Sequence, residues 1–135
     1  KSLNCQEKNI QITCVADGKA LDFVNPMDIC SIFGNALDNA ITSAEKVENP
    51  ERRLIHVTVS QEKSFLRIKI ENSFQGVLKM KNQLPITTKE DRRYHGFGLK
   101  SMKEIAEKYK GSMTVSAKDG WFELRILIPL PESEK

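Results

Sequence analysis

Asn35 and Asn39 stand one helical turn apart in Gly34-Asn35-Ala36-Leu37-Asp38-Asn39-Ala40, inside a segment whose apolar residues recur with helical spacing. Side chains four apart stack on one face of a helix, so Asn35, Asn39, Thr42 and Lys46 form a polar strip. The opposite strip is Ile29, Phe33, Ala36, Leu37, Ala40, Ala44 and Val47, spaced to face a core. Paired carboxamides suit ion and phosphate coordination, because each offers a carbonyl oxygen and an NH2 group. A merely solvated face would more cheaply carry Lys or Glu, which favour helix where asparagine does not. Gly34 costs about 1 kcal/mol against alanine in a helix, and it leads us to expect a close approach to the backbone there.

Two further groups have chemical potential. His95-Gly96-Phe97-Gly98-Leu99-Lys100 puts two glycines directly before a helix. There backbone N–H groups and the helix dipole can receive an anion such as phosphate, although a Gly-x-Gly before a helix also serves as an ordinary turn. Upstream, Thr87-Thr88-Lys89 adds hydroxyls and a cation. Asn72 ends an alternating segment and is followed four residues later by Gly76. A carboxamide there can hydrogen-bond a heterocycle edge while the glycine admits a flat ring, or the pair can simply begin a turn.

The elements that must hold these residues are well signalled. Asn25 can cap a helix, Pro26 suits its first position and Asp28 its first turn, which predicts a helix over about 26–47. Residues 9–15 alternate as a strand, as do 54–60 and 65–71, which read as a hairpin. Periodicity then lapses over about 73–97, a length expected of a functional lid. A helix over about 98–110 faces Leu99, Met102, Ile105, Ala106 and Tyr109 inward, with Gly111 placed to end it. Strands 112–118 and 121–129 close the chain around Asp119-Gly120, a strong hairpin signal. The sum is an α+β chain, a two-layer α/β sandwich with helices on one face of a mixed sheet.

The 135 residues fit a single domain over 1–135, with a frayed tail at 131–135. A net charge of +3, with both signs interspersed, gives no stripe for nucleic acid. No apolar run approaches the roughly 18 residues of a membrane span, so direct membrane contact is not expected. Cys5, Cys14 and Cys30 lack metal-ligand spacing and read as reduced, buried thiols of a cytoplasmic domain.

Taken together and in order, these motifs resemble the GHKL-type ATP-binding superfamily that unites DNA gyrase, the ninety-kilodalton heat-shock chaperone, sensor histidine kinases and MutL. The resemblance covers nearly the whole chain. Gly34 to Ala40 resembles the family's asparagine box, which implies that Asn39 ligates Mg²⁺ and that Asn35 holds phosphate or metal. Ile70-Glu71-Asn72-Ser73-Phe74-Gln75-Gly76 resembles its first glycine box, normally Asp-x-Gly-x-Gly, implying an adenine contact from Asn72 and a close approach at Gly76. Gly96-Phe97-Gly98-Leu99 resembles the second glycine box, which cradles the triphosphate, with His95, Lys100, Thr88 and Lys89 beside it. The fold implied is a Bergerat-type sandwich with ATP beneath a lid. Asn-Ser, Thr-Thr-Lys and His-Gly-x-Gly-Leu-Lys together resemble more narrowly the peptide-pheromone sensor kinases of Gram-positive bacteria, the AgrC-like quorum-sensing group.

Departures from the pattern bear on chemistry. Gyrase-like members carry a glutamate base where Asn35 stands, and a carboxamide takes no proton at neutral pH. Slow hydrolysis suits a kinase that keeps ATP intact until a histidine attacks, with Asn35 and Lys89 as the candidate catalytic residues. Thr42 occupies a position where many histidine kinases have a cation, for which Lys46 or Lys89 are candidate substitutes. Phe74 replaces a glycine and Asn72 an aspartate, so weak adenine binding is expected. Neither His56 nor His95 lies on a long helix, so the phosphoacceptor and sensor domains are expected outside this sequence. The implied partners are the chain's own dimerisation and histidine-phosphotransfer domain, a response regulator and, in the full-length membrane-bound sensor, a second copy. Two rivals share the fold: an ATP-sensing module that transfers nothing, and an anti-sigma-factor-type serine kinase. The absence of a glutamate at position 35 counts against the latter, because a hydroxyl nucleophile gains more from a base than an imidazole does.

Overall fold

Alternation in the strands and a 3.6-residue repeat in two helices sort this chain into a one-sided sheet with a helical cover. The computed structural model describes residues 9–75, 80–81, 84–85 and 97–131, with backbone alone at 80–81, 84–85 and Phe97. In chain order these are β1 (Gln11–Ala16), α1 (Pro26–Glu45), β2 (Leu54–Glu62), β3 (Phe65–Ser73), the short β4 (Met80–Lys81) and β5 (Leu84–Pro85), α2 (Phe97–Lys108), β6 (Ser112–Lys118) and β7 (Trp121–Pro129). Single turns of 3₁₀ helix cover Gly18–Leu21 and Pro50–Arg52.

Five strands form one mixed sheet in the order β1-β2-β3-β7-β6, while β4 and β5 pair separately. β1 runs parallel to β2, a pairing that needs a long crossover, and α1 supplies it. The other neighbours are antiparallel. Two-residue turns make the tight hairpins: Asp119 and Gly120 both take positive φ, 55° and 83°, as the right-handed strand twist requires.

One face of the sheet carries Ile55, Val57 and Val59 from β2, Leu66, Ile68 and Ile70 from β3, and Phe122, Leu124, Ile126 and Ile128 from β7, all buried. Ile32, Ala36, Ala40, Ile41 and Ala44 of α1 and Leu99, Met102 and Ala106 of α2 cover it. The opposite face is charged, with ion pairs Lys69–Glu71 at 3.4 Å and Arg125–Glu123 at 2.7 Å. The buried stripe of α1 is therefore wider than its sequence spacing suggested. Ile32 and Ile41 flank it on either side, while Ile29, Phe33 and Leu37 are only partly buried.

Two of the thiols correct the sequence reading: Cys14 and Cys30 are exposed, while Cys5 lies outside the described residues. Every residue of β1 is exposed, as an edge strand that the described helices do not cover, and Cys30 lies on the solvent side of α1. Among the described residues no helix is long and apolar enough to cross a membrane.

One end of each helix carries a defined cap. Asn25 Oδ1 accepts from the Met27 amide at 2.8 Å, capping α1 as expected. At the far end of α2, Lys110 takes the left-handed conformation, φ 65°. The Gly111 amide donates to Ala106 O at 2.8 Å and that of Lys110 to Glu107 O at 2.9 Å, the two bonds of a Schellman motif. Gly111 thus does not supply the positive φ. A Cβ there would run into the Leu127 carbonyl and lie 3.0 Å from Ile128 Cα, so the glycine is required by close packing on β7.

Candidate functional site

α1 and α2 pack side by side and antiparallel, and this brings two of the sequence motifs together. Gly98, in the first turn of α2, lies against Asn35 in the middle of α1: a Cβ at position 98 would sit 3.2 Å from Asn35 Oδ1 and 3.4 Å from its Cγ. The first N–H groups of a helix have no partner within it, so the start of α2 offers backbone donors beside the Asn35 carbonyl. Gly98 and Leu99 are buried, Leu99 with its side chain in the core, so Leu99 has only its backbone to offer a ligand. Lys100 is exposed beside them.

Asn39 follows one turn along the same strip, half-buried, with its Nδ2 shielded from solvent. Thr42 is half-buried and Lys46 exposed at the end of the helix. Gly34 departs from expectation: a Cβ there would meet nothing within 4 Å, so among the described residues no close approach requires the glycine.

Asn72 lies inside β3 rather than in a turn. It pairs with Ile55 on one side and Phe122 on the other and points to the same face as Ile70 and Ile68. With 2% exposure it is a lone carboxamide in an apolar layer, and Asn72 and Ser73 are the buried polar residues among those described. Asn72 Nδ2 donates to Ser73 O at 2.8 Å. Ser73 does structural work: its Oγ accepts from the Leu54 amide at 3.0 Å and so ties β3 to the start of β2. Phe74, where the resembled motif has glycine, packs its ring on Phe122 at a centroid distance of 6.0 Å. Gln75 Oε1 accepts from the Glu48 amide at 2.9 Å, fixing the chain just before position 76.

A second polar cluster sets how α2 lies on α1. Asp28 Oδ2 accepts from Lys108 Nζ at 2.7 Å and from Tyr109 Oη at 2.6 Å, while Tyr109 Oη accepts from the Asn25 amide at 3.0 Å. Hydrogen bonds from Lys108 and then Tyr109 hold the Asp28 carboxyl below its usual value, and the bond to Asp28 raises the Lys108 ammonium. Sequence reading placed Asp28 only as a first-turn acid and Tyr109 as core. Their pairing spans 81 residues and carries no local signal.

Ser31 is the other residue that sequence reading passed over. It accepts a hydrogen bond from Asn35 Nδ2 at 3.3 Å, and its signal was available as the four-residue spacing to Asn35. The candidates Gly76, Thr88, Lys89, His95 and Gly96 lie outside the described residues, and Phe97 is described by its backbone at the head of α2. Two clefts lie elsewhere. One of about 400 Å³ is lined by Ser73, Phe74, Gln75 and Trp121, the other of about 440 Å³ by Lys19, Phe23, Lys63 and Leu130. Neither includes an asparagine of the strip or Asn72.

The architecture defines a class: an α+β sandwich with a mixed sheet, two antiparallel helices on one face and the Asn35 carboxamide set where the helices meet. A model of the GHKL domain matches residues 24–129, and the chain belongs to that family. Its fold matches the catalytic domain of the histidine kinase ThkA, nucleotide-free, with TM-score 0.69 and 20% identity over 97% of this chain and 87% of that one. It also matches Acinetobacter baumannii histidine kinase AdeS, TM-score 0.62 at 16% identity, and full-length ShkA in complex with AMPPNP, TM-score 0.64 at 16% identity. These alignments cover 97% and 95% of this chain but only 59% and 27% of those proteins. No curated protein matches the sequence.

Proposed function

We propose that this chain is the ATP-binding catalytic domain of a two-component sensor histidine kinase. It binds Mg-ATP against α1 and the start of α2 and passes the γ-phosphoryl to a histidine on a separate dimerisation domain, for relay to a response regulator. The observation that carries this reading is the Asn35 carboxamide set against Gly98, where a Cβ would fill the space. That clearance and the lone buried amide of Asn72 fit a nucleotide with its metal: hard cations take carbonyl oxygens, and unpaired helix N–H groups take phosphate.

In this reading Asn39 and Asn35 hold Mg²⁺ and a phosphate oxygen, Asn72 reads the adenine edge, and the backbone of Gly98 and Leu99 receives the phosphates. Lys100, Thr88, Lys89, His95, Gly96 and Gly76 complete the candidate set. When bound, Mg-ATP supplies the transferable phosphoryl group and much of the charge neutralisation. The chain's own part is positioning. Asn35 has no basic group to deprotonate water, which favours an intact nucleotide awaiting an imidazole. Asn72-Ser73, Thr87-Thr88-Lys89 and the run His95 to Lys100 favour the AgrC-like pheromone-sensing group, in which this domain is cytoplasmic and the full-length protein homodimeric.

Phe74 favours a second reading. Its ring packs where the resembled motif has glycine, as a nucleotide-sensing module without transfer tolerates better than an efficient kinase. Labelled ATP and a fragment carrying the phosphoacceptor helix separate the possibilities. Acid-labile, base-stable label on the fragment is expected. Acid-stable label would indicate a hydroxyl acceptor, and binding without transfer would favour the sensing module.

A further inference from the structure

A carboxamide on a helix can turn either end toward a ligand, because the terminal torsion of asparagine is broad and roughly two-fold. An oxygen-seeking ligand therefore gains from whatever fixes that torsion. At Asn35 one hydrogen bond holds the nitrogen end, and a glycine leaves room for the oxygen end. On one side Nδ2 donates to Ser31 Oγ at 3.3 Å, one turn earlier on the same helix. On the other, Oδ1 faces the start of α2, 3.2 Å from where a Cβ of residue 98 would stand, and that residue is glycine. The serine hydroxyl can give its own proton to a carbonyl of the preceding turn, which leaves an oxygen lone pair for the amide.

We infer that Ser31 is a positioning residue: it holds the nitrogen end of Asn35 so that the carbonyl oxygen is presented beside the first turn of α2, to the metal and phosphate side of a bound nucleotide. The inference rests on the Mg-nucleotide reading above and adds a residue that none of the motifs includes. Asn39 cannot stand in for this orientation, since it lies one turn further from Ser31 on the strip.

The test uses Ser31→Ala, which removes the acceptor, and Ser31→Thr, which keeps it. In the ligand-free protein the side-chain amide resonances of Asn35 should shift and exchange faster in Ser31→Ala and stay near wild type in Ser31→Thr. Titrated with Mg-AMPPNP, Ser31→Ala should bind about three- to tenfold more weakly, the scale of one neutral hydrogen bond. Affinity for AMPPNP in chelator should not move, any fall in melting temperature should be no more than the loss of one such hydrogen bond brings, and Ser31→Thr should restore the Mg-AMPPNP affinity. Unmoved Asn35 resonances, or an unchanged Mg-AMPPNP affinity in Ser31→Ala, would overturn the inference. Failure of the wild type to bind Mg-AMPPNP would instead overturn the nucleotide reading, and the ligand-free resonances would still report whether Ser31 holds the amide.

Discussion

Gly98→Ala should leave the protein folded and cripple the site. The added Cβ would stand 3.2 Å from Asn35 Oδ1, 3.4 Å from Cγ and 3.5 Å from Cβ, against a relaxed separation of about 3.5–4.0 Å. The carboxamide must give by a few tenths of an ångström. It is the end of a side chain with a soft torsion, so the strain is at most about 0.5–1.5 kcal/mol, and the bond to Ser31 is worth about as much again. Replacing glycine by alanine in a helix returns about 0.8–1.0 kcal/mol, less in a first turn. The stability change should therefore stay within about 2 kcal/mol. Moving an oxygen off a charged ligand costs about 1.5–3 kcal/mol, which is roughly ten- to 150-fold in affinity. Calorimetric titration with Mg-AMPPNP, paired with a thermal melt, reads both quantities. Wild-type affinity in a well-folded Gly98→Ala would refute the role given to the Asn35 carbonyl, and a loss of more than about 3 kcal/mol of stability would refute the packing argument.

Two further variants separate conformation from clearance at the end of α2. Gly111→Ala should destabilise by roughly 1–3 kcal/mol through overpacking against Leu127 and Ile128, whereas Lys110→Gly, at φ 65°, should change stability by less than about 1 kcal/mol. Denaturant midpoints that rank the two variants the other way would contradict the assignment. The Asp28 network makes a prediction about pH. Its carboxyl is held below 3.8 in the folded state, so its contribution is full above 3.8 and is lost as pH falls through the lowered value. Lys108 is raised above 10.5, so its share is full below 10.5 and is lost only as pH climbs past the raised value. Melting temperatures between about pH 5 and 2 should fall less steeply in Asp28→Asn than in wild type, though modestly, because the Lys108 side chain is 59% exposed. Parallel curves would rule out the pairing as a source of acid sensitivity.

Periodicity carried most of the fold. The closing hairpin was legible to the residue because Asp-Gly demands a primed turn, and α1 because Asn25 and Pro26 announce its start. Burial was less legible where it depends on neighbours distant in sequence. β1 alternates like a half-buried strand, yet it is an edge that the described helices leave uncovered, so Cys14 is exposed. For the same reason the role of Gly111 as clearance for β7 could not be read from its place after a helix. In the site, the helical repeat placed Asn35 and Asn39 on one strip, but the meeting of Asn35 with Gly98 is a tertiary contact across 63 residues, Gly98 less Asn35. Asn72 read equally well as the start of a turn, and only the strand register, with Ile55 and Phe122 on either side, turns it toward the helices.

The central claim is a metal-dependent nucleotide site on the asparagine strip, and a thermal melt of the chain with Mg-ATP, with ATP in chelator, and with Asn39→Ala in both conditions tests it directly. Ligand at 100 times its dissociation constant adds about 2.7 kcal/mol, so even a weak site should raise the melting temperature by several degrees at millimolar Mg-ATP. The account predicts a rise that needs magnesium and is lost in a folded Asn39→Ala. An equal rise in Asn39→Ala, or none in the wild type at any ATP concentration, would contradict it.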